Sequence, residues 1–164
     1  MKILIVNYSY TGNNDLLSER IQKELNADLF HIKELRKRTK FSTFLDVTFR
    51  RNPKIFPFDG SLENYDLIIF TAPLWFGTIA FPLRTFLIRH KSTIKNYAFI
   101  SICGFKGNEK FEADLKKYTG KEPLTLEELP ITALLPEGQT EAPDYRVKHE
   151  EIEKFKSSIE GDFS

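Results

Sequence analysis

Short runs of apolar residues, each bounded by turn-forming residues, recur along the chain and predict buried β-strands. Most of these runs are apolar without interruption, which is typical of strands that are covered on both faces in a parallel sheet. The predicted strands are Ile3–Val6, Asp28–Ile32, Asp66–Ala72, Tyr97–Cys103 and Leu129–Leu135.

Between the strands, apolar residues recur every three or four positions, which predicts helices that bury one face. Leu17, Ile21 and Leu25 give the first helix this pattern. The stretch from Lys33 to Phe58 has a weaker pattern, and we expect a short helix followed by a loop there. Further helices are predicted at Phe81–His90, Asn108–Tyr118 and Tyr145–Ile159.

The alternation of strand and helix predicts an α/β fold. We expect residues 1–164 to form a single domain, built as a three-layer, doubly wound, five-stranded parallel sheet. In sheets of this kind, ligands bind beyond the carboxyl ends of the strands, where the chain order switches direction. The loops that follow the first, third and fourth predicted strands are therefore the expected binding site.

Charge and cysteine content narrow the classes of function. The chain has 24 Lys and Arg against 23 Asp and Glu, and this net charge of +1 predicts no overall attraction to nucleic acid or an anionic membrane. A single cysteine cannot form an intramolecular disulfide, so we expect a reducing, cytoplasmic environment. We expect neither a signal peptide nor a membrane span, because the first strand follows Lys2 directly and no apolar run is long enough.

Positive charge is nevertheless concentrated in one part of the chain, from Lys33 to Lys54. This basic segment contains eight basic residues and two acidic ones, Glu34 and Asp46. It is either a solvated face or a docking patch for an anionic partner or a cofactor phosphate, and the sequence leaves both interpretations open.

The first of the three loops has the composition of an anion-binding turn. Ser9 and Thr11 carry hydroxyl groups, Gly12 lets the backbone approach a ligand closely, and Asn13 and Asn14 carry amides. A helix N-terminus also presents free N–H groups and the positive end of its dipole. The loop lacks the Gly-Lys-Ser/Thr of nucleotide-hydrolysing P-loops. A turn that only caps the helix would have the same composition, so this alternative stays open.

Aromatic residues stand in the other two loops. The second loop, Pro73–Thr78, contains Trp75, which is the only tryptophan, beside Phe76, and the third loop, Cys103–Gly107, contains Phe105. Aromatic faces stack on planar heterocycles, which indicates a site for a flat ring. Core packing is the alternative for Trp75, and a buried apolar role is the simpler interpretation of Cys103.

Together the three loops resemble those of the flavodoxin family and its flavodoxin-like FMN-dependent reductase relatives. The first loop is similar to the family phosphate loop, Ser/Thr-x-Thr-Gly-Asn-Thr, from Ser9 to Asn13, and departs from it at Asn14. Residues 65–87 are similar to the third strand, the flavin loop and the third helix of the family, and Cys103-Gly104 to its third loop. The resemblance implies the flavodoxin-like strand order 2-1-3-4-5.

The resemblance also implies FMN as the cofactor. The first loop would hold the FMN phosphate, Trp75 would stack on or edge the isoalloxazine ring, and the third loop would line its pyrimidine end. Neither a catalytic acid or base nor a metal ligand is implied, because the flavin carries the redox chemistry. The implied cofactor-binding residues are Ser9, Tyr10, Thr11, Gly12, Asn13, Asn14, Pro73, Leu74, Trp75, Phe76, Gly77, Thr78, Cys103, Gly104, Phe105 and Gly107.

Three functions follow from the resemblance. The preferred one is an oxidoreductase that passes electrons from NAD(P)H or a redox partner protein to a quinone-like acceptor. A flavodoxin-type electron shuttle is the first alternative, although such shuttles are usually strongly acidic and this chain is nearly neutral. A binding module that has lost the flavin is the second. A homodimer stays open.

Two other functions of this fold class do not match the sequence. A receiver domain needs acidic residues after the first and third strands, where this chain has Asn7-Tyr8-Ser9 and Thr71-Ala72-Pro73. A small phosphatase needs an Arg several residues after its Cys, but Cys103 is followed by Gly-Phe-Lys-Gly-Asn-Glu.

Overall fold

A five-stranded parallel sheet forms the centre of the molecule. The computed structural model describes residues 1–49, 51–107, 109–133 and 145–147. The strands are β1 (Ile3–Asn7), β2 (Asp28–His31), β3 (Leu67–Thr71), β4 (Leu74–Trp75), β5 (Thr78–Ile79), β6 (Tyr97–Cys103) and β7 (Leu126–Pro130). β4 and β5 form a separate antiparallel hairpin, and the other five strands pair in parallel in the order β2-β1-β3-β6-β7. Without the hairpin this is the order 2-1-3-4-5, so the predicted fold class is confirmed.

Helices cover both faces of this sheet. They are α1 (Asn13–Leu25), α2 (Lys40–Thr48), α3 (Phe81–His90) and α4 (Glu109–Thr119), and short 3-10 turns lie at Leu62–Asn64 and Ile131–Ala133. One apolar cluster joins α3 and α4 to the sheet, and a second one joins α1 to the opposite face. Three layers result, as the sequence predicts.

Alternation along β1 shows how the strands serve both clusters. Leu4 and Val6 belong to the cluster of α3 and α4, whereas Ile3 and Ile5 belong to the cluster of α1. Successive side chains of a strand point to opposite faces, so a strand buried on both sides must be apolar at every position. This requirement explains the uninterrupted apolar runs in the sequence.

The fifth predicted strand, Leu129–Leu135, is wrong in its boundaries. β7 begins earlier, at Leu126, and pairing ends at Pro130, after which a 3-10 turn occupies Ile131–Ala133. β7 lies at the edge of the sheet and is only half-buried, so Glu127 and Glu128 are tolerated in it and no continuous apolar run marks it. Pro130 lacks the N–H that further pairing would need.

The other predicted elements lie close to their expected positions, with one exception. The short helix expected in the basic segment is α2. Most of the predicted terminal helix, Tyr145–Ile159, lies outside the described residues, and the described residues 145–147 are not helical. None of the described helices combines the length and the apolar character needed to traverse a bilayer.

The basic segment follows β2, and its last residues lie beside α3. Its two ends pair with each other, with Leu35 N–H donating to Lys54 O at 2.9 Å and Phe56 N–H donating to Lys33 O at 2.9 Å. α2 lies between these paired ends. Because its ends are paired, the basic segment forms a closed loop that contains α2.

Candidate functional site

The loops that follow β1, β3 and β6 meet at the carboxyl edge of the sheet. We call them loop 1 (Ser9–Asn14), loop 2 (Pro73–Thr78) and loop 3 (Cys103–Gly107). The ring of Tyr10 in loop 1 lies 6.2 Å from the ring of Trp75 in loop 2, measured between centroids. The side chain of Asn14 reaches the backbone of Ile102, directly before loop 3. The structure therefore brings the three loops together, as strand order predicts.

Loop 1 turns sharply into α1 and leaves backbone donors unused. Gly12 has a φ of 96°, a left-handed conformation that favours glycine, and its N–H donates to Ser9 Oγ at 3.0 Å. In the described part of the chain, the N–H groups of Tyr10, Thr11, Asn13 and Asn14 have no acceptor. Helix N-termini leave such donors unpaired, and at the positive end of the α1 dipole they can bind an anion.

Asn13 and Asn14 are both buried and use their side-chain amides inside the protein. Asn14 donates to the carbonyl of Ile102 at 2.9 Å and accepts from its N–H at 3.0 Å. Asn13 donates to the carbonyl of Tyr145 at 3.0 Å and accepts from the N–H of Val147 at 2.9 Å. The two amides thus fix loop 1 to β6 and to residues 145–147.

A polar cluster surrounds the start of α1 on its other side. The buried amide of Asn7 accepts from the hydroxyl of Thr71 at 2.8 Å and donates to the carboxylate of Asp15 at 2.5 Å. His31 Nδ1 lies 3.3 Å from the same carboxylate oxygen. The carboxylate of Asp15, which would repel an anion at loop 1, is therefore hydrogen-bonded to the amide of Asn7.

Loop 2 contains the hairpin β4–β5, which the sequence analysis missed. Its two turn residues, Phe76 and Gly77, have φ angles of 52° and 72°. A two-residue turn with both central residues left-handed is the type I′ turn that suits a twisted hairpin. The usual Asn-Gly or Asp-Gly signal is absent, because a bulky phenylalanine occupies the first position. That side chain is 80% exposed, so packing does not explain its left-handed conformation.

Trp75 is half-buried within a group of aromatic rings and beneath a cation. Its ring lies 5.7 Å from Tyr8 and 5.5 Å from Phe81, both nearly perpendicular to it. The guanidinium carbon of Arg38 lies 4.8 Å from the ring centroid. One face of Trp75 is therefore in a cation–π contact with a residue of the basic segment. No local sequence signal connects Arg38 to Trp75, because the contact depends on how the basic segment folds back.

Arg38 belongs to a buried ionic network. It forms a bidentate pair with Glu34, at 2.8 and 2.6 Å, and contacts Asp46 at 3.1 Å. The Tyr8 hydroxyl donates to Glu34 at 2.9 Å. The Arg38 side chain is only 5% exposed, so this network is largely screened from water. The network connects three parts of the chain: the start of the basic segment, α2 and the end of β1.

Tyr8 and Arg38 have raised pKa values in this network, and both shifts favour the usual protonation state of the group. Burial raises the pKa of the Tyr8 phenol well above its ordinary value, and the negative charge of Glu34 raises it further. Burial alone would lower the pKa of Arg38, but hydrogen bonding and attraction to Glu34 outweigh burial and raise it. Tyr8 therefore stays a donor and Arg38 stays a cation.

Residues of β7 and α4 lie against the end of loop 3. The N–H of Gly107 donates to both carboxylate oxygens of Glu128, at 2.9 and 3.1 Å. Burial raises the pKa of Glu128, and the Gly107 N–H partly opposes that rise. A Cβ at position 107 would overlap the ring of Phe111 and come within 2.7 Å of Glu128 Oε1. Any other residue would therefore force Phe111 or Glu128 to shift. Cys103 is buried, as expected of a small apolar side chain.

Each of the three loops exposes one aromatic ring at this edge. Tyr10 is 57% exposed, and Phe76 and Phe105 are each 80% exposed. Among the described residues, no group of three His, Cys, Asp or Glu side chains is arranged to hold a metal ion. The site offers uncharged backbone donors beside exposed rings.

Solved structures similar to this chain are flavoproteins. The chain matches a flavoprotein from Lactobacillus acidophilus crystallised in complex with FMN, with 21% identity, a TM-score of 0.68 and coverage of 77% of this chain and 92% of that one. The NMR structure of the apo-form of the Lactobacillus acidophilus flavoprotein matches with 20% identity, a TM-score of 0.63 and coverage of 80% and 94%.

A candidate flavoprotein from Bacteroides eggerthii matches with 17% identity and a TM-score of 0.69, over 97% of this chain and 98% of that one. No protein-family model matches the sequence, and no curated protein matches it. The strand order and these similarities agree, and they show that the chain has the flavodoxin-like fold.

Proposed function

We propose that the protein binds FMN non-covalently across loops 1 to 3 and uses it in electron transfer. The observation that carries this proposal is the free set of backbone N–H groups in loop 1 beside three exposed aromatic rings. FMN has the matching parts, a terminal phosphate and a flat ring system. When bound, it supplies the one- and two-electron redox chemistry that the amino acids of the site lack.

The phosphate would bind to neutral groups. The N–H groups of residues 10, 11, 13 and 14 and the hydroxyls of Ser9 and Thr11 would donate to it at the N-terminus of α1. The side chains of Asn13 and Asn14 would contribute indirectly, because their amides hold the loop in its donor-presenting shape. Asp15 would be tolerated because Asn7 donates a hydrogen bond to its carboxylate.

The isoalloxazine ring would lie between loops 2 and 3. Phe76 and Phe105 expose the largest apolar surface there, and Tyr10 borders the same space. Trp75 would present its edge or its second face, since Arg38 lies over the other one. Pro73, Leu74, Gly77, Thr78, Cys103, Gly104 and Gly107 would supply backbone around the ring.

The similar structures support the cofactor proposal, because one of them was crystallised with FMN. The experiment that tests it is direct. The purified chain should show the absorption bands of bound flavin, and denaturation should release FMN and no FAD. A colourless chain that also fails to take up added FMN would contradict the proposal.

We further propose that the redox role is that of an oxidoreductase acting from NAD(P)H, or from a redox partner protein, on a quinone-like acceptor. The nearly balanced charge favours this role over a shuttle that docks electrostatically. Flavin-loaded protein should oxidise NAD(P)H in the presence of a quinone. Failure in this assay, combined with rapid reduction by a ferredoxin or flavodoxin reductase, would identify the shuttle function.

A further inference from the structure

A cavity of about 520 Å³ lies in the basic segment, away from the three loops. Arg36 and Lys37 line it before α2, and Arg51 and Lys54 line it after α2. We call it the basic cavity. Its volume falls in the range of small-molecule sites, and its described lining includes no residue of loops 1 to 3.

The four cations of the basic cavity are not neutralised by the protein. Within the described part of the chain, none of their side chains has a hydrogen bond or an ion pair. The cavity is also lined by Glu34 and Asp46, but both of these carboxylates are paired with Arg38. A set of free cations around one cavity raises the local concentration of anions and can bind them with charge-assisted hydrogen bonds.

The walls of the basic cavity are held in place by α3. Arg84, which is buried, donates to the carbonyl of Arg51 at 2.7 Å and to the side chain of Asn52 at 2.9 Å. Thr85 donates to the carbonyl of Pro53 at 3.0 Å. Residues 51–53 of the lining are therefore held against α3, so binding a ligand would cost little further ordering of this part of the chain.

From these observations we propose that the basic cavity binds a small molecule carrying two or more phosphate groups. Four cations match several negative charges, and the apolar side chains of Leu35, Leu45 and Pro53 in the lining can contact a flat base or ring. The concave shape favours a small molecule over an acidic protein surface.

The basic cavity is connected to the flavin site through Arg38. Glu34 and Asp46 line the cavity, both bind Arg38, and Arg38 lies over Trp75 of loop 2. An anion in the cavity would redistribute the interactions of this network. Because Trp75 is the only tryptophan, its fluorescence reports such a change without a contribution from other indoles.

The test uses the full chain freed of flavin, titrated with inorganic pyrophosphate and with 2′,5′-ADP. Binding is followed by calorimetry and by Trp75 fluorescence, at low and at moderate salt. We expect saturable binding that weakens with salt. In the double variant Lys37→Glu/Lys54→Glu the affinity should fall roughly tenfold or more, because two attractive contacts become repulsive.

The matched control is Lys23→Glu/Lys95→Glu, which makes the same change in net charge outside the basic cavity. It should leave the affinity within about twofold of the wild-type value. Equal weakening in both variants, or no saturable binding to the wild-type chain, would overturn the proposal. Binding of an acidic peptide without binding of either small anion would also overturn it, in favour of a protein-docking surface.

The two ligands distinguish the source of the phosphates. Tighter binding of 2′,5′-ADP than of pyrophosphate would identify a nucleotide, and equal binding would identify a simple polyphosphate. A parallel FMN titration of the double variant should give the wild-type affinity, because neither Lys37 nor Lys54 belongs to loops 1 to 3 and Arg38 itself is unchanged. If the wild-type chain failed to bind FMN, the proposed function would fail, while the pyrophosphate result would still decide the nature of the cavity.

Discussion

Individual residues of the site act mainly through buried polar contacts that sequence patterns do not reveal. Arg38 is one of eight basic residues in its segment, yet it lies almost fully buried between two carboxylates and a tryptophan ring. The side-chain amide of Asn14 pairs with the backbone of β6, so only the backbone N–H of this residue is left for a phosphate. Burial and long-range partners decide these roles, and both depend on the complete fold.

Replacing Arg38 by Met should destabilise the protein by about 3 kcal/mol, because Glu34 and Asp46 would remain buried without their cation. The free energy of unfolding in urea measures this loss. Arg36→Met, at an exposed position two residues away, is the control and should change stability by about 0.5 kcal/mol or less. Similar losses in both variants would mean that the Arg38 network contributes nothing particular to stability.

His90 should make stability depend on pH. Burial, assisted by the positive charge of Arg89, lowers the pKa of its imidazole in the folded chain. As pH falls below about 6.5, the unfolded chain therefore takes up this proton first, and the folded state loses stability until the lower pKa is passed.

The variant His90→Phe, which keeps a ring against Phe86, should lack this part of the pH dependence. Unfolding midpoints in urea, measured from neutral to mildly acidic pH, test the effect. A variant with the same slope as the wild-type chain would show that His90 is not its source.

Whole elements were predicted best where burial alone determines them. The apolar runs of β1, β3 and β6 and the apolar stripe of α1 identify these elements directly. The edge strand β7 was misplaced because a half-buried strand accepts glutamates, and the β4–β5 hairpin was missed because its turn contains Phe76 in place of Asn or Asp. Local patterns fail where partners distant in sequence decide the conformation.

A substitution at Phe76, in the turn of the β4–β5 hairpin, should change the stability of the chain and its affinity for FMN in opposite directions. Replacing Phe76 by Asn should stabilise the chain by up to about 1 kcal/mol, because asparagine adopts the left-handed conformation more readily. The same change should weaken FMN binding roughly tenfold by removing an aromatic contact. Thermal unfolding and FMN titration measure the two effects.

Phe105→Asn is the matched control for this pair of effects. Phe105 is as exposed as Phe76 but has a negative φ, so its replacement should weaken FMN binding without the gain in stability. If Phe76→Asn and Phe105→Asn both left FMN affinity unchanged, the exposed rings of loops 2 and 3 would not form the ring site.

Loop 1 should lose its shape when Asn14 is replaced. Asn14→Ala leaves the buried N–H and carbonyl of Ile102 without partners, which should cost about 2 kcal/mol. Hydrogen exchange should show the Ile102 amide losing protection. Asn96→Ala removes one exposed hydrogen bond of 3.2 Å, to Asp66 O, and should have little effect on stability. Unchanged protection of Ile102 would argue against the role of Asn14 in holding loop 1.

At the scale of the whole molecule, the parallel sheet determines where chemistry can occur. All five strands run the same way, so the loops after β1, β3 and β6 emerge at one edge and meet there. That these three loops meet followed from the sequence through this rule, whereas the cation over Trp75 and the basic cavity required the folded basic segment. A ligand bound across all three loops would link them and stabilise the native state by mass action.

The most direct measurement is a titration of FMN with the flavin-free chain, followed by the fluorescence of the flavin. We predict saturable quenching at one FMN per chain. Thr11→Asp, which places a carboxylate beside the expected phosphate, should abolish the quenching while the chain stays folded by circular dichroism. If the folded wild-type chain leaves FMN fluorescence unchanged, loop 1 is not a phosphate site, and the assignment of this protein as an FMN-binding protein is wrong.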